Sequence, residues 1–149
     1  MRKVLMVVCA ILAVALLASC VTVATVTPLH EAVRDGDMGK ARTEVSRGAD
    51  VDARDEEGRT PLHYACANGD GVMAEWLLEI GADPNIQDAR GQTPLYYAAV
   101  NCYASMVEML LGAAADPAVP DNDGRTALAA AREIGCSEAV ELLESVTVE

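Results

Sequence analysis

The amino-acid sequence predicts an all-α solenoid of four helix-turn-helix repeats with protruding loops, and two observations indicate this fold class. Short motifs recur along most of the 149 residues at a constant interval of 33 residues. Within each interval, apolar residues recur at helical spacing, and glycines and polar turns separate the apolar runs. A fixed period of this kind is typical of a solenoid, in which each repeat buries its apolar face against the next one.

The motif that opens each repeat begins at residues 27, 60, 93 and 126. Its copies are Thr27-Pro28-Leu29-His30, Thr60-Pro61-Leu62-His63, Thr93-Pro94-Leu95-Tyr96 and Thr126-Ala127-Leu128-Ala129. Two further series keep the same step, namely a Gly/Ala-Ala-Asp series from residues 48, 81 and 114 and Asp-x-x-Gly turns from residues 55, 88 and 121. Three series in phase make a chance repeat negligible.

The second repeat shows why each element should form. The hydroxyl of Thr60 can cap a helix in which Pro61 takes the first position, where its missing N–H costs nothing. That helix is expected to end at Gly69, and a second helix is expected over about Gly71–Ile80. Residues 83–90 have no helical period, so they predict a protruding loop that a glycine turn closes.

The Thr-Pro-Leu-His-x-Ala motif and its 33-residue period resemble the ankyrin repeat. The resemblance covers residues 27 to about 146, which is nearly all of the chain after its N-terminal segment. It implies four stacked repeats whose concave groove and loop tips bind a protein. It also implies that His30 and His63 form hydrogen bonds within and between repeats.

The outermost repeats carry the polar surfaces that a solenoid needs at its ends. The second repeat has Met73–Leu78 in its second helix, whereas the first has Lys40–Val45, with charged residues at core positions. The fourth has Ala139–Glu144, in which Glu144 replaces an apolar residue. The first and fourth repeats are therefore predicted to be caps around two internal repeats.

The third repeat departs most from the pattern. Ala114 stands where other repeats have the glycine of a left-handed helix end, and for a residue with a Cβ that conformation costs about 1 kcal/mol. Cys102 likewise replaces a glycine, and Tyr96 replaces the histidine of the motif. We expect this repeat to be the most strained and the most specialised.

Cys102 and Cys136 occupy the inter-helix turns of adjacent repeats, one position apart in register. Equivalent points on stacked repeats lie about 10 Å apart, which is too far for a disulfide that needs Cα atoms within about 7 Å. The extra residue could narrow the gap, so the sequence leaves both the paired and the free states open. Cys66 replaces a core alanine and is expected to be a buried, unreactive thiol.

The N-terminus has the layout of a signal sequence. Arg2 and Lys3 precede an unbroken apolar run, and Leu17-Ala18-Ser19-Cys20 resembles the lipobox of bacterial lipoproteins. The resemblance implies a signal peptide over residues 1–19, a lipid on Cys20 and a short tether over residues 20–26, followed by the repeat domain over 27–149. Val21, in place of aspartate, implies an outer-membrane protein facing the periplasm if the host is Gram-negative.

An uncleaved anchor is the alternative interpretation of the same segment. Val4–Val26 contains only serine, threonine and cysteine as interruptions and is long enough to span a bilayer of about 30 Å. In both interpretations Arg2 and Lys3 stay on the cytoplasmic side, so the repeats are expected outside the cytoplasm, in the cell envelope.

The charge of the remaining chain excludes nucleic acid as an expected partner. Nine basic and twenty-three acidic residues follow residue 19, a net charge of −14. Such a field repels phosphate backbones and attracts cationic partners. The acidic excess indicates either a solvated surface or a basic protein partner.

The sequence predicts no enzyme, no metal and no cofactor. His30 and His63 are the only histidines, and both have structural positions in the motif. His63 and Cys66 share a helix face, but no further histidine or cysteine lies near enough in sequence to complete a tetrahedral site. No nucleophile motif and no phosphate-binding glycine loop is present.

Tyr64 and Tyr97 are the strongest candidates for binding, because they share one register position on the inner face of the first helix. Their rings should form an aromatic stripe outside the core, so that removing one weakens binding and barely changes stability. The alternative is a tyrosine that packs on its neighbour with its hydroxyl in water. The full predicted surface comprises, in the groove, Tyr64, Ala67, Asn68, Tyr97, Val100, Asn101, Glu133 and Ile134, and at the loop tips Glu56, Glu57, Ala89, Arg90, Asn122 and Asp123.

The sequence as a whole predicts a monomeric, membrane-tethered module that binds a protein. One version is an inhibitor or immunity factor that neutralises an exported protein, and the alternative is a scaffold that bridges envelope proteins. The fold does not distinguish them, because similar solenoids bind unrelated partners.

Overall fold

The structure is a computed structural model that describes residues 26–147. This part of the chain contains eight α-helices and no strand. The helices are α1 Pro28–Arg34, α2 Met38–Ser46, α3 Pro61–Asn68, α4 Gly71–Glu79, α5 Pro94–Val100, α6 Ala104–Gly112, α7 Ala127–Ile134 and α8 Ser137–Thr147. They form four helix-turn-helix repeats separated by loops, which confirms the predicted all-α solenoid.

The core runs through the stack as a row of equivalent side chains. The first helices α1, α3, α5 and α7 pack in series, and each also packs on the second helix of its own repeat. Leu29, Leu62 and Leu95, at the third position of the opening motif, are fully or almost fully buried. The motif therefore supplies both the start of each first helix and its main core residue.

The predicted caps at the two ends are visible in the burial pattern. Helix α2 buries only Ala41, whereas α4 buries Met73, Ala74 and Leu77. At the other end, Glu144 of α8 pairs with Arg132 at 2.6 Å.

His63 joins α3 of the second repeat to the loop that leads into α5 of the third. The backbone N–H of Thr60 donates to Nδ1 of His63 at 3.0 Å, so Nδ1 must be the unprotonated nitrogen. Nε2 then carries the hydrogen and donates to the carbonyl of Gln92 at 3.1 Å. Burial lowers the pKa of His63 to about 4, which keeps the ring neutral. His30 makes the equivalent bonds to Thr27 and to the carbonyl of Arg59.

The third repeat contains the two strained positions that the sequence predicts. Cys102 has φ of 59° and Ala114 has φ of 63°, and these are the only residues other than glycine with positive φ in the described chain. At the position that Ala114 occupies in the third repeat, the first two repeats have Gly48 and Gly81, with φ of 92° and 97°. The frame of the solenoid therefore imposes the left-handed conformation regardless of side chain.

Cys102 and Cys136 form a disulfide bond between the third and fourth repeats. Their Cα atoms lie 5.1 Å apart, well within the range that a disulfide needs. The one-position offset brings the two turns closer than equivalent points on stacked repeats. Cys66 is free and fully buried, and burial raises the pKa of its thiol.

Within residues 26–147 no helix is long and apolar enough to cross a membrane. The signal peptide over residues 1–19, the lipid on Cys20, nearly all of the tether and the alternative span over Val4–Val26 lie outside the described residues. They stay predictions.

Candidate functional site

The predicted surface residues fall into three groups that follow one another along the stack. Tyr64, Ala67 and Asn68 belong to α3, Tyr97 and Val100 to α5, and the remaining groove residues to the end of α5 and to α7. The loop tips precede α3, α5 and α7 in the same order. Because the first helices pack in series, the register positions chosen from the sequence lie side by side.

Two neighbouring clefts between the loops and the first helices include six of the fourteen predicted residues. The first cleft is lined by Glu57, Arg59, Asp88, Ala89, Arg90 and Tyr97. The second is lined by Ala89, Arg90, Gln92, Asp121, Asn122, Asp123 and Arg125. Neither cleft includes Tyr64, Ala67, Asn68, Val100, Asn101, Glu133, Ile134 or Glu56.

The tyrosines are part of the fold as well as of the surface, which corrects the prediction that their rings are dispensable for stability. The hydroxyl of Tyr64 donates to Oδ2 of Asp55 at 2.7 Å, and that of Tyr97 donates to Oδ2 of Asp88 at 2.8 Å. Burial and these carboxylates raise the pKa of both phenols to about 12. A hydroxyl that the alternative interpretation placed in water thus stabilises a buried acceptor.

Each of these rings also packs edge-on against the motif histidine of the preceding repeat. Tyr64 lies 5.7 Å from His30, and Tyr97 lies 5.6 Å from His63, measured between ring centroids. The two sites therefore have the same framework. Part of each ring stays accessible from the groove.

Three buried aspartates, Asp55, Asp88 and Asp121, hold the loops in shape. Each is the first residue of an Asp-x-x-Gly turn, and its Oδ1 accepts the backbone N–H groups two and four residues further along at 2.8 to 3.0 Å. The sequence analysis identified these residues only as turn residues. The available signal was the tyrosine nine positions after Asp55 and again after Asp88.

When each loop is counted with the first helix that follows it, the second repeat also has an arginine that completes the arrangement. Nε of Arg59 donates to Oδ2 of Asp55 at 3.0 Å, and Nη2 donates to Glu57 at 2.8 Å. The guanidinium carbon lies 4.7 Å from the centroid of the Tyr64 ring, within the range of a cation–π contact. Burial opposes ionisation of Asp55, but bonds from Tyr64 and Arg59 outweigh it and lower the pKa of Asp55.

The third repeat has the same aspartate and tyrosine without this arginine. Gln92 takes the position of Arg59, and Arg90 takes the position of Glu57. Within the described residues, the side chains of Asp88 and Arg90 form no ion pair. This difference was not predicted from the sequence, because the loop residues were interpreted only as exposed recognition positions.

In the fourth repeat the arginine is present and the tyrosine is not. Arg125 pairs with Asp121 at 3.0 Å and with Asp123 at 3.1 Å, whereas Ala130 replaces the tyrosine. Only the second repeat therefore combines the aspartate and the arginine with a tyrosine nine positions after the aspartate; the tyrosine beside Asp121 is Tyr96, from the first helix of the preceding repeat.

The loop tips are tied together through their backbones, and several of their side chains are exposed. The N–H of Ala89 donates to the carbonyl of Glu57 at 2.7 Å, and that of Asn122 donates to the carbonyl of Arg90 at 2.9 Å. The side chains of Glu57 and Asp123 are 61% and 76% exposed. The tips thus form a rigid edge that presents charges of both signs.

The groove residues near the inter-helix turns have mixed environments. The side-chain amide of Asn68 donates to the carbonyl of Arg34 at 3.0 Å, and that of Asn101 donates to the carbonyl of Tyr97 at 2.9 Å. Ile134 is 57% exposed, which is unusual for a large apolar side chain in this chain. The polar groups of the two asparagines are therefore partly engaged in the fold, while Ile134 is available for contact.

No group of three or more histidine, cysteine, aspartate or glutamate residues within residues 26–147 is arranged to hold a metal ion. The two histidines of this part of the chain use both ring nitrogens in the hydrogen bonds of the repeats.

Comparison with known protein families gives two matches. A family model described as ankyrin repeats (many copies) matches residues 45–98. A second, described as ankyrin repeats (3 copies), matches residues 72–148, which is more than half of the chain. No curated protein matches the chain.

Proposed function

Because the chain belongs to the ankyrin-repeat family, whose repeats generally mediate protein–protein interaction, we propose that it is exported, tethered to a membrane and binds one partner protein there. The partner lies in the concave groove and against the loop tips. The module neutralises or holds an exported protein, as an inhibitor or immunity factor does, and it has no catalytic role.

One observation supports this choice of protein-binding surface. Several positions that keep one residue type in most repeats are buried, among them the motif leucine of the first three repeats and the three turn aspartates. Six of the fourteen predicted positions line the two clefts at the loop tips, namely Glu57, Ala89, Arg90, Tyr97, Asn122 and Asp123. Residues that stacking does not need are free for recognition, so we place the main contacts of the partner at these clefts.

The disulfide supports export. Disulfide bonds persist in oxidising compartments such as the periplasm and are rare in the cytosol. A Cys102–Cys136 bridge therefore agrees with the signal sequence and lipobox at the N-terminus, which were inferred from different residues.

The acidic excess supports a basic partner. Several acidic side chains on the second helices, among them Glu75, Glu108 and Glu141, are exposed and form no ion pair within the described residues. A field of one sign speeds the encounter with an oppositely charged protein.

Site-specific photo-cross-linking in the native host tests the proposal. A photoreactive residue is placed at Ala89, on the loop tip, and in a matched strain at Val72, which is 71% exposed on α4 outside the groove. We expect one cross-linked protein, identified by mass spectrometry, from position 89 and none from position 72. Equal products from both positions, or none from position 89, contradict the proposed surface.

Stoichiometry then separates an inhibitor from a scaffold. An inhibitor binds a single partner tightly in a one-to-one complex, whereas a scaffold binds several proteins weakly. Affinity measurements on the cross-linked candidates decide between the two.

A further inference from the structure

The second repeat shows how this fold binds a guanidinium group. Asp55 accepts Nε of Arg59, and the ring of Tyr64 lies under the guanidinium carbon at 4.7 Å. The hydroxyl of Tyr64 fixes the carboxylate from the other side. We call the carboxylate and ring together a guanidinium site, formed by Asp55 and Tyr64 in the second repeat and by Asp88 and Tyr97 in the third.

The site in the third repeat has the same geometry as its counterpart. Its tyrosine-to-carboxylate distance is 2.8 Å against 2.7 Å, and its ring packs on a histidine at 5.6 Å against 5.7 Å. Two backbone N–H groups bind Oδ1 of Asp88, as they do for Asp55. Two neighbouring positions differ, because the chain has Gln92 in place of Arg59 and Arg90 in place of Glu57.

Oδ2 of Asp88 can therefore accept a further hydrogen bond, at the position where Oδ2 of Asp55 accepts one from Arg59. It accepts one bond, from Tyr97, whereas a carboxylate oxygen has two lone pairs. The residue is only 7% exposed, so its charge has little contact with water. A buried carboxylate without a cation partner favours any cation that can reach it.

A cation can reach this position from the groove. Asp88 and Tyr97 line an open cleft of about 260 Å³ at the loop tips. Arg59 and Arg90 line the same cleft, and neither guanidinium forms an ion pair with Asp88 within residues 26–147. Arg59 pairs instead with Glu57, which also lines the cleft.

We propose that the Asp88–Tyr97 site receives an arginine side chain of the partner protein, which supplies the guanidinium that the third repeat lacks. This inference rests on the proposed function and names the chemistry of the partner. Arginine fits better than lysine because its planar guanidinium combines a carboxylate bond with stacking on an aromatic ring, as Arg59 does within the chain. Lysine offers only a point charge.

The first experiment measures arginine binding directly, with the full-length chain in detergent and N-acetyl-arginine amide as the probe. We expect saturable shifts of the Asp88 and Tyr97 amide signals in NMR spectra, and none with N-acetyl-citrulline amide, which has the same shape without the charge. The variant Gln92→Arg fills the site from within the chain, so it should lose the response and melt at a higher temperature. Absence of shifts in the native chain, or unchanged shifts in Gln92→Arg, overturns the proposal.

A reciprocal variant provides the matched control. Arg59→Gln gives the second repeat the arrangement of the third, so it should gain a second arginine response at Asp55 and Tyr64. If that variant folds and gains no such response, an aspartate and tyrosine in this geometry are not sufficient and the proposal is wrong.

The partner itself separates this inference from the proposed function. Gln92→Arg should lower partner affinity about 30-fold, the loss that corresponds to a hot-spot arginine. Partner binding that Gln92→Arg leaves unchanged overturns the arginine inference while the proposed function stands. Absence of any cross-linked partner refutes the proposed function, and the arginine titration still decides whether the site binds a guanidinium.

Discussion

Single side chains in this protein connect the recognition surface to the core. Tyr97 is partly exposed in the groove, yet its hydroxyl binds a buried carboxylate that shapes the neighbouring loop. A substitution there changes both the surface and the fold, so a loss of binding alone does not identify a contact residue. Variants that remove one atom are needed to separate the two effects.

The Tyr97 hydroxyl provides the first prediction. Tyr97→Phe keeps the ring but leaves Asp88 without its bond, so we expect a loss of about 1 to 2 kcal/mol in the free energy of unfolding. Urea denaturation measures it. Tyr103→Phe is the control, because the Tyr103 hydroxyl has no hydrogen bond within the described residues, and its stability should stay near that of the native chain. Equal stability of all three proteins contradicts the structural role of the hydroxyl.

The second prediction concerns His63 and pH. Its pKa is about 4 in the folded chain, below the ordinary value of 6.5, so the unfolded chain binds the proton first. The free energy of unfolding should therefore keep the full contribution of His63 above pH 6.5. It should fall as the pH decreases toward 4, and protonation of this residue accounts for roughly 3 kcal/mol of the fall. NMR titration of the ring protons tests the cause. A midpoint near 6.5 in the folded protein contradicts it.

At the scale of elements, the inter-helix turn and the end of the second helix are the two places where the third repeat is strained. Both need a left-handed residue, and the chain provides Cys102 and Ala114 there instead of glycine. The first of these substitutions allows a disulfide to form. Nothing in the structure explains the second substitution, which places alanine at residue 114.

The third prediction follows from Ala114. Ala114→Gly should stabilise the protein by about 1 kcal/mol, because glycine adopts φ of 63° without the clash of a Cβ. Gly81→Ala, at the matching position with φ of 97° and open space around it, should destabilise by a similar amount. Thermal unfolding compares the pair. Shifts of the same sign in both variants would show that backbone strain does not govern this position.

The fourth prediction concerns the bridge between the last two repeats. Replacing both Cys102 and Cys136 by serine should lower the unfolding free energy by about 3 to 4 kcal/mol, because the bond closes a segment of 34 residues. Reductant should produce a comparable loss in the native chain and none in the double variant. Non-reducing peptide mapping should find the two cysteines in one linked fragment. Two unlinked thiols at these positions in the native protein contradict the bridge.

At the scale of the whole molecule, the repeats form a linear stack in which each contacts its neighbours only. The free energy of unfolding is then close to the sum of the contributions of the single repeats and of the interfaces between them. Loosening one interface exposes an end of the stack. The disulfide joins the third repeat to the C-terminal cap. The N-terminal segment precedes the first repeat, at the other end of the stack. The two ends of the solenoid are thus secured in different ways if the N-terminus is tethered.

The fifth prediction concerns that tether. The mature protein should begin at Cys20 and carry a lipid, because a sequence that resembles a lipobox follows the apolar run of the N-terminus. Mass spectrometry of the native protein measures this, and Cys20→Ser should retain residues 1–19 and lose the lipid. A native chain that keeps Met1 and an unmodified Cys20 instead favours the uncleaved anchor.

The sequence by itself determined the features that depend on neighbouring residues or on the period. Helix starts at Thr60 and Thr93, the left-handed positions at Cys102 and Ala114 and the polar ends of the stack were all predictable. Caps and turns depend on residues a few positions apart, and a 33-residue period extends one repeat to the rest. Local chemistry is therefore sufficient for the architecture.

Only the tertiary structure decided which side chains meet across the stack. The bonds from Tyr64 to Asp55 and from Tyr97 to Asp88 join a helix to a loop, and the Cys102–Cys136 bond joins two repeats. These contacts depend on differences of a few ångströms in how repeats are offset, and a period in sequence does not contain such distances. For the same reason, the difference between Arg59 and Gln92 could be interpreted only once the contacts around Asp55 were known.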